Sequence, residues 1–332
     1  MSLAMSTRTL LTALCAVASL GAAAQAPEAW PAKPVHVIVP FPPGGPTDIA
    51  ARAVSQALAD ALGVPFIVDN RVGERGFLGI AEAARAPADG YTLMVGTVGT
   101  MAITPRMYDT LPYDAEKDFA PVSLLVTVPI VVVANPDALP VADLGGLVAH
   151  LRAHPGQVRY GSSGRGGSNH LVPEDFQART GTRMTQASHL GAAAAIDDLL
   201  AGRVQLMFDT LLTSAPLVAS GRLRMLAVAT AHRLPSHPEV PTVAEALGLA
   251  DFDASSWFAL YAPAGTPAAI VERLSAEVAL ALRRPAVAAP LQALGAVPVG
   301  SSPQVLAAFQ RAEQARWGEV ITRAKLRVDD DD

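Results

Sequence analysis

Three glycine-rich segments of the sequence are the clearest candidates for ligand binding. Residues 41–48, 96–100 and 161–168 each follow a run of β-forming residues and lead into a helix start. Glycine lets backbone N–H groups approach a ligand closely, and a helix N-terminus adds unpaired donors and a positive partial charge. Such segments are also ordinary connections between strands and helices. Three of them together favour a cleft that binds one small anion.

Several polar side chains stand in or near these segments. Asp48 lies at a predicted helix start, where helix capping and ligand contact are both open interpretations. Asp209 follows a predicted strand, and His170 and His189 lie at loop-to-helix junctions. Arg165 stands among neutral donors. It either contacts a second carboxylate of the ligand or steers anions into the cleft, or else it points to solvent.

Motifs for nucleotide binding or covalent catalysis are missing from the sequence. Residues 44–48 contain no Walker lysine, residues 164–167 lack the third glycine of a dinucleotide fingerprint, and there is no Gly-x-Ser-x-Gly element. His150 and His154 are one helical turn apart, but no glutamate completes a metalloprotease pattern, so a surface pair is favoured. We therefore expect no catalytic residues, no metal site and no cofactor.

Composition narrows the class of protein further. The 332 residues are 51% hydrophobic and 17% charged, which supports a sizeable core and argues against wholesale disorder. The net charge of −5 argues against nucleic-acid binding, which needs a clustered basic surface. The single cysteine, Cys15, excludes a disulfide framework and any cysteine-ligated metal centre.

Residues 1–26 have the features of a cleavable secretory signal peptide. Arg8 precedes a weakly apolar run at residues 10–24, which is shorter than the roughly 20 residues that a membrane-spanning helix needs. A lipid anchor on Cys15 is disfavoured, because a bulky residue precedes that cysteine. The remaining chain would contain no cysteine and would suit an oxidising compartment. The predicted location is the periplasm of a Gram-negative bacterium.

Short β-rich runs alternate with helical patterns along the rest of the chain, which predicts an α/β fold. A strand at residues 35–39 precedes a helix whose apolar stripe covers residues 49–62 and ends at Gly63. Further strands are predicted at residues 66–68, 91–95, 204–208 and 224–229, and further helices at residues 168–178 and 192–201. Thr266 and Ser302 each precede a proline and are predicted N-caps of two long helices.

The apolar run at residues 120–135 is long for one strand and predicts a strand that crosses between two domains. Pro129 interrupts its pairing pattern, and a return crossing is predicted near residues 223–230. The predicted limits are residues 27–125 and 227–332 for a discontinuous first domain and residues 126–226 for the second.

Seven motifs resemble the substrate-binding receptors of tripartite tricarboxylate transporters, known as Bug receptors. They include Trp-Pro-x-Lys-Pro before the first strand and Pro-Phe-Pro-Pro-Gly-Gly-x-Thr-Asp after it. The motifs lie in order over nearly all of the chain beyond the signal peptide, at residues 30–34, 40–52, 69–71, 89–93, 162–171, 198–209 and 257–267. The sequence departs from the family pattern at Pro46, at residues 73–76 and at residues 189–191, where His189 replaces the usual aromatic residue.

The resemblance implies a type II periplasmic binding protein fold, in which two Rossmann-like domains joined by a two-strand hinge close on a ligand. Such receptors deliver small carboxylates to a membrane permease, and we expect a monomer that binds no nucleic acid. The resemblance places ligand contacts, mostly backbone amides and hydroxyls, at Phe41, Gly44, Gly45, Thr47 and Asp48, facing Ser162, Ser163, Gly164, Gly167 and His170, with Thr97, Thr100 and Asp209 nearby.

Two other functions stay open at this point. One is an exported α/β enzyme that acts on a small carboxylate, since a fold does not dictate a function. The other is a receptor that presents its bound ligand to a sensor protein instead of a permease. Family ligands include di- and tricarboxylates, amino acids and aromatic acids, so the resemblance does not select one carboxylate.

Overall fold

A computed structural model of the chain describes residues 30–73, 76–324 and 326. The predicted signal peptide and Cys15 lie outside the described residues. The strands are β1 (Val35–Val39), β2 (Phe66–Asn70), β3 (Thr92–Thr97), β4 (Phe119–Ala134), β5 (Arg159–Ser162), β6 (Thr185–Ser188), β7 (Leu206–Thr210), β8 (Arg224–Val228), β9 (Ser255–Pro263) and β10 (Val297–Pro298).

The helices lie between these strands and after them. They are α1 (Pro46–Leu62), α2 (Phe77–Ala84), α3 (Thr104–Met107), α4 (Leu144–Ala153), α5 (Ser168–Thr180), α6 (Ala192–Leu200), α7 (Leu211–Ala219), α8 (Val243–Leu247), α9 (Ala268–Arg283), α10 (Pro285–Ala293) and α11 (Pro303–Ala324). A π-helical turn, Gly99–Ile103, precedes α3. The predicted α/β class is confirmed.

All the strands join one mixed sheet, in the order β2-β1-β3-β9-β4-β7-β5-β6, with β8 and β10 also paired to β4. The first part of β4, as far as Pro129, pairs with β9, and the part from Ile130 onward pairs with β7 and β8. We call β1, β2, β3, β9, β10 and the first part of β4 the first half-sheet. The second half-sheet is β5 to β8 with the end of β4.

The long strand predicted around residues 120–135 is confirmed as β4, which passes through Pro129 without ending. Pro129 is opposite Ser255 at the end of the β9 pairing, just before β4 changes partner. Because proline has no N–H to donate, this change of partner is where it disturbs the ladder least.

The chain returns to the first half-sheet at the start of β9. Before that, β8 pairs with the end of β4, and α8 packs against α4 and β8 in the second half. The limits proposed for the two domains stay a prediction. Strand pairing places the junction of the half-sheets within β4, between Pro129 and Ile130.

Parallel pairing within each half-sheet gathers the loops that matter for binding. β1 is parallel to β2 and β3, and β5 is parallel to β6 and β7. The carboxyl ends of parallel strands lie at one edge, so their loops emerge together. The loops after β1 and β3 therefore meet the loops after β5, β6 and β7 across a single cavity.

One hydrophobic core extends through both half-sheets. On one face of the sheet it includes Met94 from the first half, Val132 from the second, and Trp257 and Trp317 near their junction. On the other face, α1 and α9 pack mainly on the first half-sheet, and α6 and α7 mainly on the second. The two halves thus share most of their common core on one face, and Leu212 of α7 joins the first half on the other face.

The predicted starts of the last two long helices have different outcomes. α11 begins at Pro303, and the N–H of Val305 donates to Ser302 Oγ at 3.3 Å, so the Ser302 N-cap is confirmed. α9 begins one residue later than predicted, at Ala268, because Pro267 has an extended ψ of 133°. Thr266 Oγ1 donates instead to the carbonyl of Pro263 at 2.8 Å.

Glu313 fastens α11 to β9. Its Oε2 accepts hydrogen bonds from Trp257 Nε1 at 3.0 Å and from Trp317 Nε1 at 3.2 Å, and its Oε1 accepts from Arg316 Nε at 2.8 Å. Both indole rings are fully buried. One carboxylate therefore satisfies two buried donors, one on each element.

We expect Glu313→Ala to lower the free energy of unfolding by about 2–4 kcal/mol, because each buried N–H that loses its partner costs about 1–3 kcal/mol. Urea denaturation at neutral pH measures the loss. Glu319→Ala is the matched control on the same helix, since Glu319 is exposed, and it should change stability by less than about 0.5 kcal/mol. A loss below about 1 kcal/mol for Glu313→Ala would contradict the role assigned to this carboxylate.

Candidate functional site

A small cavity of about 90 Å³ lies between the two half-sheets. Eight of the predicted ligand-binding residues line it: Phe41, Gly45, Thr47, Thr97, Thr100, Ser163, Gly167 and Asp209. Five others do not line it: Gly44, Asp48, Ser162, Gly164 and His170. The latter five lie in the loops and helix starts that form the wall, and the hydrogen bonds below show what they do there.

Four helix N-termini converge on the cavity. The N-cap residues of α1, α5, α6 and α7 are Gly45, Gly167, Gly191 and Thr210, and all four line the wall. In the described structure none of these four caps receives a hydrogen bond from a first-turn N–H through its side chain. Unpaired N–H groups and the positive ends of the helix dipoles therefore face the same space, which favours an anion.

Asp48 holds the loop after β1, residues 40–45, in shape. Its Oδ2 accepts from the N–H of Gly44 at 3.0 Å and from Arg52 Nε at 2.9 Å, and its Oδ1 accepts from Asn70 Nδ2 at 3.0 Å. Asn70 Nδ2 also donates to the carbonyl of Phe41 at 3.0 Å. Both oxygens of the Asp48 side chain therefore bind neighbouring protein groups. Of the two interpretations, the geometry favours structural support of the helix start over ligand contact.

These contacts change the acidity of Asp48. Burial raises the pKa of the carboxyl, but the hydrogen bonds from Arg52, from the N–H of Gly44 and from Asn70 outweigh it, and the pKa lies below its ordinary range. Asp48 is 3% exposed. The carboxylate of Asp48, in the first turn of α1, is therefore ionised, and the charge of Arg52 balances it.

The loop after β5, residues 163–167, is held by two side chains of α5. Asn169 Oδ1 accepts from the N–H of Ser163 at 3.2 Å and from its Oγ at 2.9 Å, and His170 Nδ1 accepts from the N–H of Gly166 at 3.3 Å. Ser162 Oγ accepts from Gln186 Nε2 at 2.8 Å and from the N–H of Gly164 at 3.4 Å behind the loop. His170 and Ser162 therefore shape the loop instead of lining the cavity.

A compact hydroxyl pair closes the side of the cavity at the end of β3. The N–H of Thr97 donates to Thr100 Oγ1 at 2.9 Å, and the N–H of Thr100 donates to Thr97 Oγ1 at 3.2 Å. Tyr113 donates its hydroxyl to the carbonyl of Thr100 at 2.7 Å. The π-helical turn that follows β3 is anchored by this exchange and brings both hydroxyls to the wall.

Asp209 is a second buried carboxyl, but its surroundings differ from those of Asp48. It is 1% exposed, and its Oδ2 accepts from Thr213 Oγ1 at 2.7 Å and from Ser214 Oγ at 2.6 Å. Burial raises the pKa of Asp209 above its ordinary range, and these hydroxyl donors only partly oppose that effect. With no cationic partner among these contacts, Asp209 favours its neutral form more than an ordinary aspartate does.

The rest of the wall combines apolar surface with one positive charge. Pro42 and Phe258 join Phe41 in lining it, and Arg165, which is exposed, is the cation on the described wall. The prediction from sequence omitted further wall residues: Pro42, Pro46, Val98, Gly99, Thr104, Gly166, Ser168, Asn169, Gly191, Ala192, Ala193, Thr210, Ser256 and Phe258. Gly191 to Ala193 had a usable signal, since a predicted helix starts there, but β6 before them carries no strand pattern.

The two halves touch on either side of the cavity. A Cβ on Gly191, which has a φ of 95°, would lie 3.1 Å from ring atoms of Pro42. A Cβ on Gly99 would lie 3.0 Å from the carbonyl oxygen of Gly166. At both points only glycine allows the approach without displacing a neighbour. Contacts between the half-sheets therefore border the cavity on two sides.

The described residues offer neither a metal-binding cluster nor a membrane-spanning helix. Among them, no group of three or more His, Cys, Asp or Glu side chains is arranged to hold a metal ion. None of the described helices combines the length and the apolar character that a membrane crossing requires.

Solved structures with similar sequences have the same fold. The periplasmic binding protein BugD is 29% identical, with a TM-score of 0.85 over 90% of this chain and 99% of that one. Rpa4515 of R. palustris, solved with adipate, is 39% identical, with a TM-score of 0.86 over 89% and 98%. MatC (Rpa3494) of Rhodopseudomonas palustris, solved with malate, is 33% identical, with a TM-score of 0.83 over 88% and 100%. The fold is that of the periplasmic binding proteins.

Sequence comparison identifies the family within that class. The model of the tripartite tricarboxylate transporter family receptor matches residues 50–326. Protein BugT of Bordetella pertussis (strain Tohama I) is 38% identical over 315 residues, which cover 94% of this chain and 96% of BugT. The chain belongs to the tripartite tricarboxylate transporter receptor family, as its motifs predict. The members of this family are described as receptors, not as enzymes.

We expect Asp48→Asn to lower the free energy of unfolding by about 1–3 kcal/mol at pH 7, because it replaces charge-assisted hydrogen bonds and sets an amide against donors. The pKa of Asp48 is depressed in the folded protein, so its contribution is present above about pH 4 and is lost as pH falls through the lowered pKa.

The difference between wild type and Asp48→Asn should therefore shrink as pH is lowered from 7 toward 3. Urea denaturation across this range measures it. Asp60→Asn is the control, because Asp60 is an exposed carboxylate near the other end of α1. An equal effect of both substitutions, or a difference that is independent of pH, would show that Asp48 does not hold the loop.

Proposed function

We propose that this protein is a periplasmic solute receptor that captures a small carboxylate in the cavity and delivers it to the permease of a tripartite tricarboxylate transporter. The observation that carries the proposal is the convergence of four helix N-termini without side-chain caps on one cavity. A carboxylate is an anion of suitable size for backbone N–H donors arranged in this way. Rpa4515 and MatC, which were solved with adipate and malate, support this class of ligand.

The predicted site residues divide into two roles in this proposal. Residues on the cavity wall contact the ligand, chiefly through backbone N–H groups of α1, α5 and α6 and through the hydroxyls of Thr47, Thr97, Thr100 and Ser163. The remaining predicted residues, Gly44, Asp48, Ser162, Gly164 and His170, act behind the wall and keep the loops in place. The apolar rings of Phe41 and Phe258 contact the carbon chain of the ligand.

Closure on the ligand is part of the same proposal. The predicted division into residues 27–125 with 227–332 and residues 126–226 implies that two units move about strands that connect them. β4 passes the junction between the half-sheets, and the chain comes back to the first half-sheet at the start of β9, so these two places support a hinge at this level.

Location and partners follow from the receptor role. A cleavable signal peptide at residues 1–26 would carry the chain to the periplasm of a Gram-negative bacterium, where it would act as a monomer. There the closed, loaded form would meet the membrane permease subunits. The helix N-termini need no cofactor to bind an anion.

Thermal unfolding with a panel of carboxylates tests the proposal. We expect adipate, malate or a related dicarboxylate to raise the melting temperature by several degrees, because a ligand at 100 times its Kd stabilises the native state by about 2.7 kcal/mol. The uncharged diamides of the same acids are the controls and should have no effect. Failure of di- and tricarboxylates, aromatic acids and acidic amino acids alike to shift the transition would overturn the proposed ligand class.

Arg165 should tune affinity without being the main anion contact. Its side chain is exposed at the rim, where ion pairs contribute about 0.2–1 kcal/mol. For a dicarboxylate that binds, we expect Arg165→Ala to weaken affinity about two- to fivefold at low salt, and less as salt screens the charge. Calorimetry at two salt concentrations measures this.

The matched control is Arg222→Ala, which removes an equal charge from an exposed position outside the cavity. It should change the affinity by less than twofold. A loss above tenfold for Arg165→Ala that is unaffected by salt would instead show a direct, desolvated contact with the ligand.

A further inference from the structure

His189 has an environment that suits only one of its protonation states. Its Nε2 lies 2.9 Å from Asp198 Oδ2, and its Nδ1 lies 3.0 Å from the carbonyl oxygen of Ala187 and 3.3 Å from that of Ser162. All three partners are hydrogen-bond acceptors. The side chain is 12% exposed, so water has little access to replace these contacts.

A neutral imidazole carries one N–H and can serve only one side of the ring. The doubly protonated ring donates from both nitrogens and satisfies the carboxylate and the carbonyl groups together. The protonated ring therefore makes every contact in this arrangement, and the neutral ring loses one of them. Histidine is the side chain that ordinarily changes charge between about pH 5 and 8.

The ring of His189 lies next to the part of the cavity wall that the N-terminus of α6 forms. His189 follows β6, and its own N–H donates to the carbonyl of Ser162 at 3.0 Å while its carbonyl accepts from the N–H of Gly191 at 3.0 Å. Gly191 is the N-cap of α6 and the residue that touches Pro42 of the other half. Asp198, the partner of the ring, lies near the end of the same helix. The ring thus joins β5, β6 and α6.

The charged groups near the ring lie on α6 and just after it. Asp198 also accepts from Arg203 Nε at 2.7 Å, and the exposed Asp197 lies beside this pair. Hydrogen bonds from Arg203 and from His189 lower the pKa of Asp198, so this carboxylate stays ionised at neutral pH. In the described part of the chain, β5 and β6 face the ring with the neutral carbonyl groups of Ser162 and Ala187.

We propose that His189 is a positioning residue whose two ring protons hold the N-terminus of α6 against the cavity, and that carboxylate affinity falls as pH rises and the second proton leaves. The part of this inference that concerns affinity rests on the proposed function. The His189 side chain contacts no ligand itself. It acts through Gly191 to Ala193, which carry the N–H donors of α6.

The first test needs no ligand. In long-range proton–nitrogen NMR spectra, the ring of His189 should show two protonated nitrogens at pH 6 and one at pH 9. Amide hydrogen exchange at Gly191, whose N–H donates to the carbonyl of His189, should be about tenfold faster in His189→Gln than in wild type at pH 6. His232→Gln, at an exposed position outside the cavity, should leave exchange unchanged. A singly protonated ring at pH 6, or equal exchange in both proteins, would overturn the inference.

The second test uses adipate and malate as probes in calorimetry from pH 6 to pH 9. Wild-type affinity should fall about three- to tenfold over this range, while His189→Gln should bind weakly at pH 6 and show a nearly flat profile. Burial raises the pKa of Asp209, and ionisation of this group would weaken anion binding in both proteins alike, so the decisive quantity is the difference between the two proteins. Parallel pH profiles of the two proteins would refute the role of the ring.

These two tests separate the inference from the proposed function. If no carboxylate binds at any pH, the proposed function fails, whereas the NMR and exchange data still decide whether the ring protons hold α6. If carboxylates bind and the exchange data show no effect of His189→Gln, the function stands and the inference about His189 fails.

Discussion

The molecule depends on one strand that belongs to two half-sheets at once. β4 pairs with β9 as far as Pro129 and with β7 and β8 beyond it, within sixteen unbroken residues. Because both half-sheets are built on this strand, the carboxyl ends of their parallel strands are directed toward each other. The glycine-rich loops, the four helix N-termini and the cavity between them all follow from that shared strand.

Asp48 and Asp209, two of the buried aspartates, show how the same residue type is adapted to different positions in this frame. Asp48 stands behind the wall with Arg52 and Asn70 as partners, and it remains ionised where a loop needs a fixed acceptor. Asp209 lines the cavity, has hydroxyl partners, and has a raised pKa. A full negative charge is thus compensated where it lies outside the cavity, and it is disfavoured where it would face a bound anion.

Local patterns in the sequence predicted the local structure well. The apolar stripe and Gly63 gave α1, and the Ser302-Pro303 pair gave the start of α11, because each signal lies within a few residues of what it specifies. β9 was not predicted as a strand, since it is buried throughout and lacks an alternating pattern. Ser256 and Phe258 were missed with it. Asp48 and His170 were predicted to contact the ligand, but neither lines the cavity. Asn70, one partner of Asp48, is distant in sequence, and the side-chain rotamer of His170 directs it to its own loop. The spacing of residues in the sequence specifies neither.

The wall of the cavity also affects how the binding site tolerates mutation. In the proposed function the groups that bind the anion are largely backbone N–H donors at helix starts, and most side-chain substitutions leave such donors in place. Only a change to proline removes one, and Pro46 already occupies the helix position where proline is accommodated without loss. Substitutions at Phe41, Arg165 or Phe258 can therefore alter the shape and charge around the rest of a ligand while the carboxylate-sized pocket persists. Such a scaffold can diverge toward new solutes by small steps, each of which retains a functional binding site.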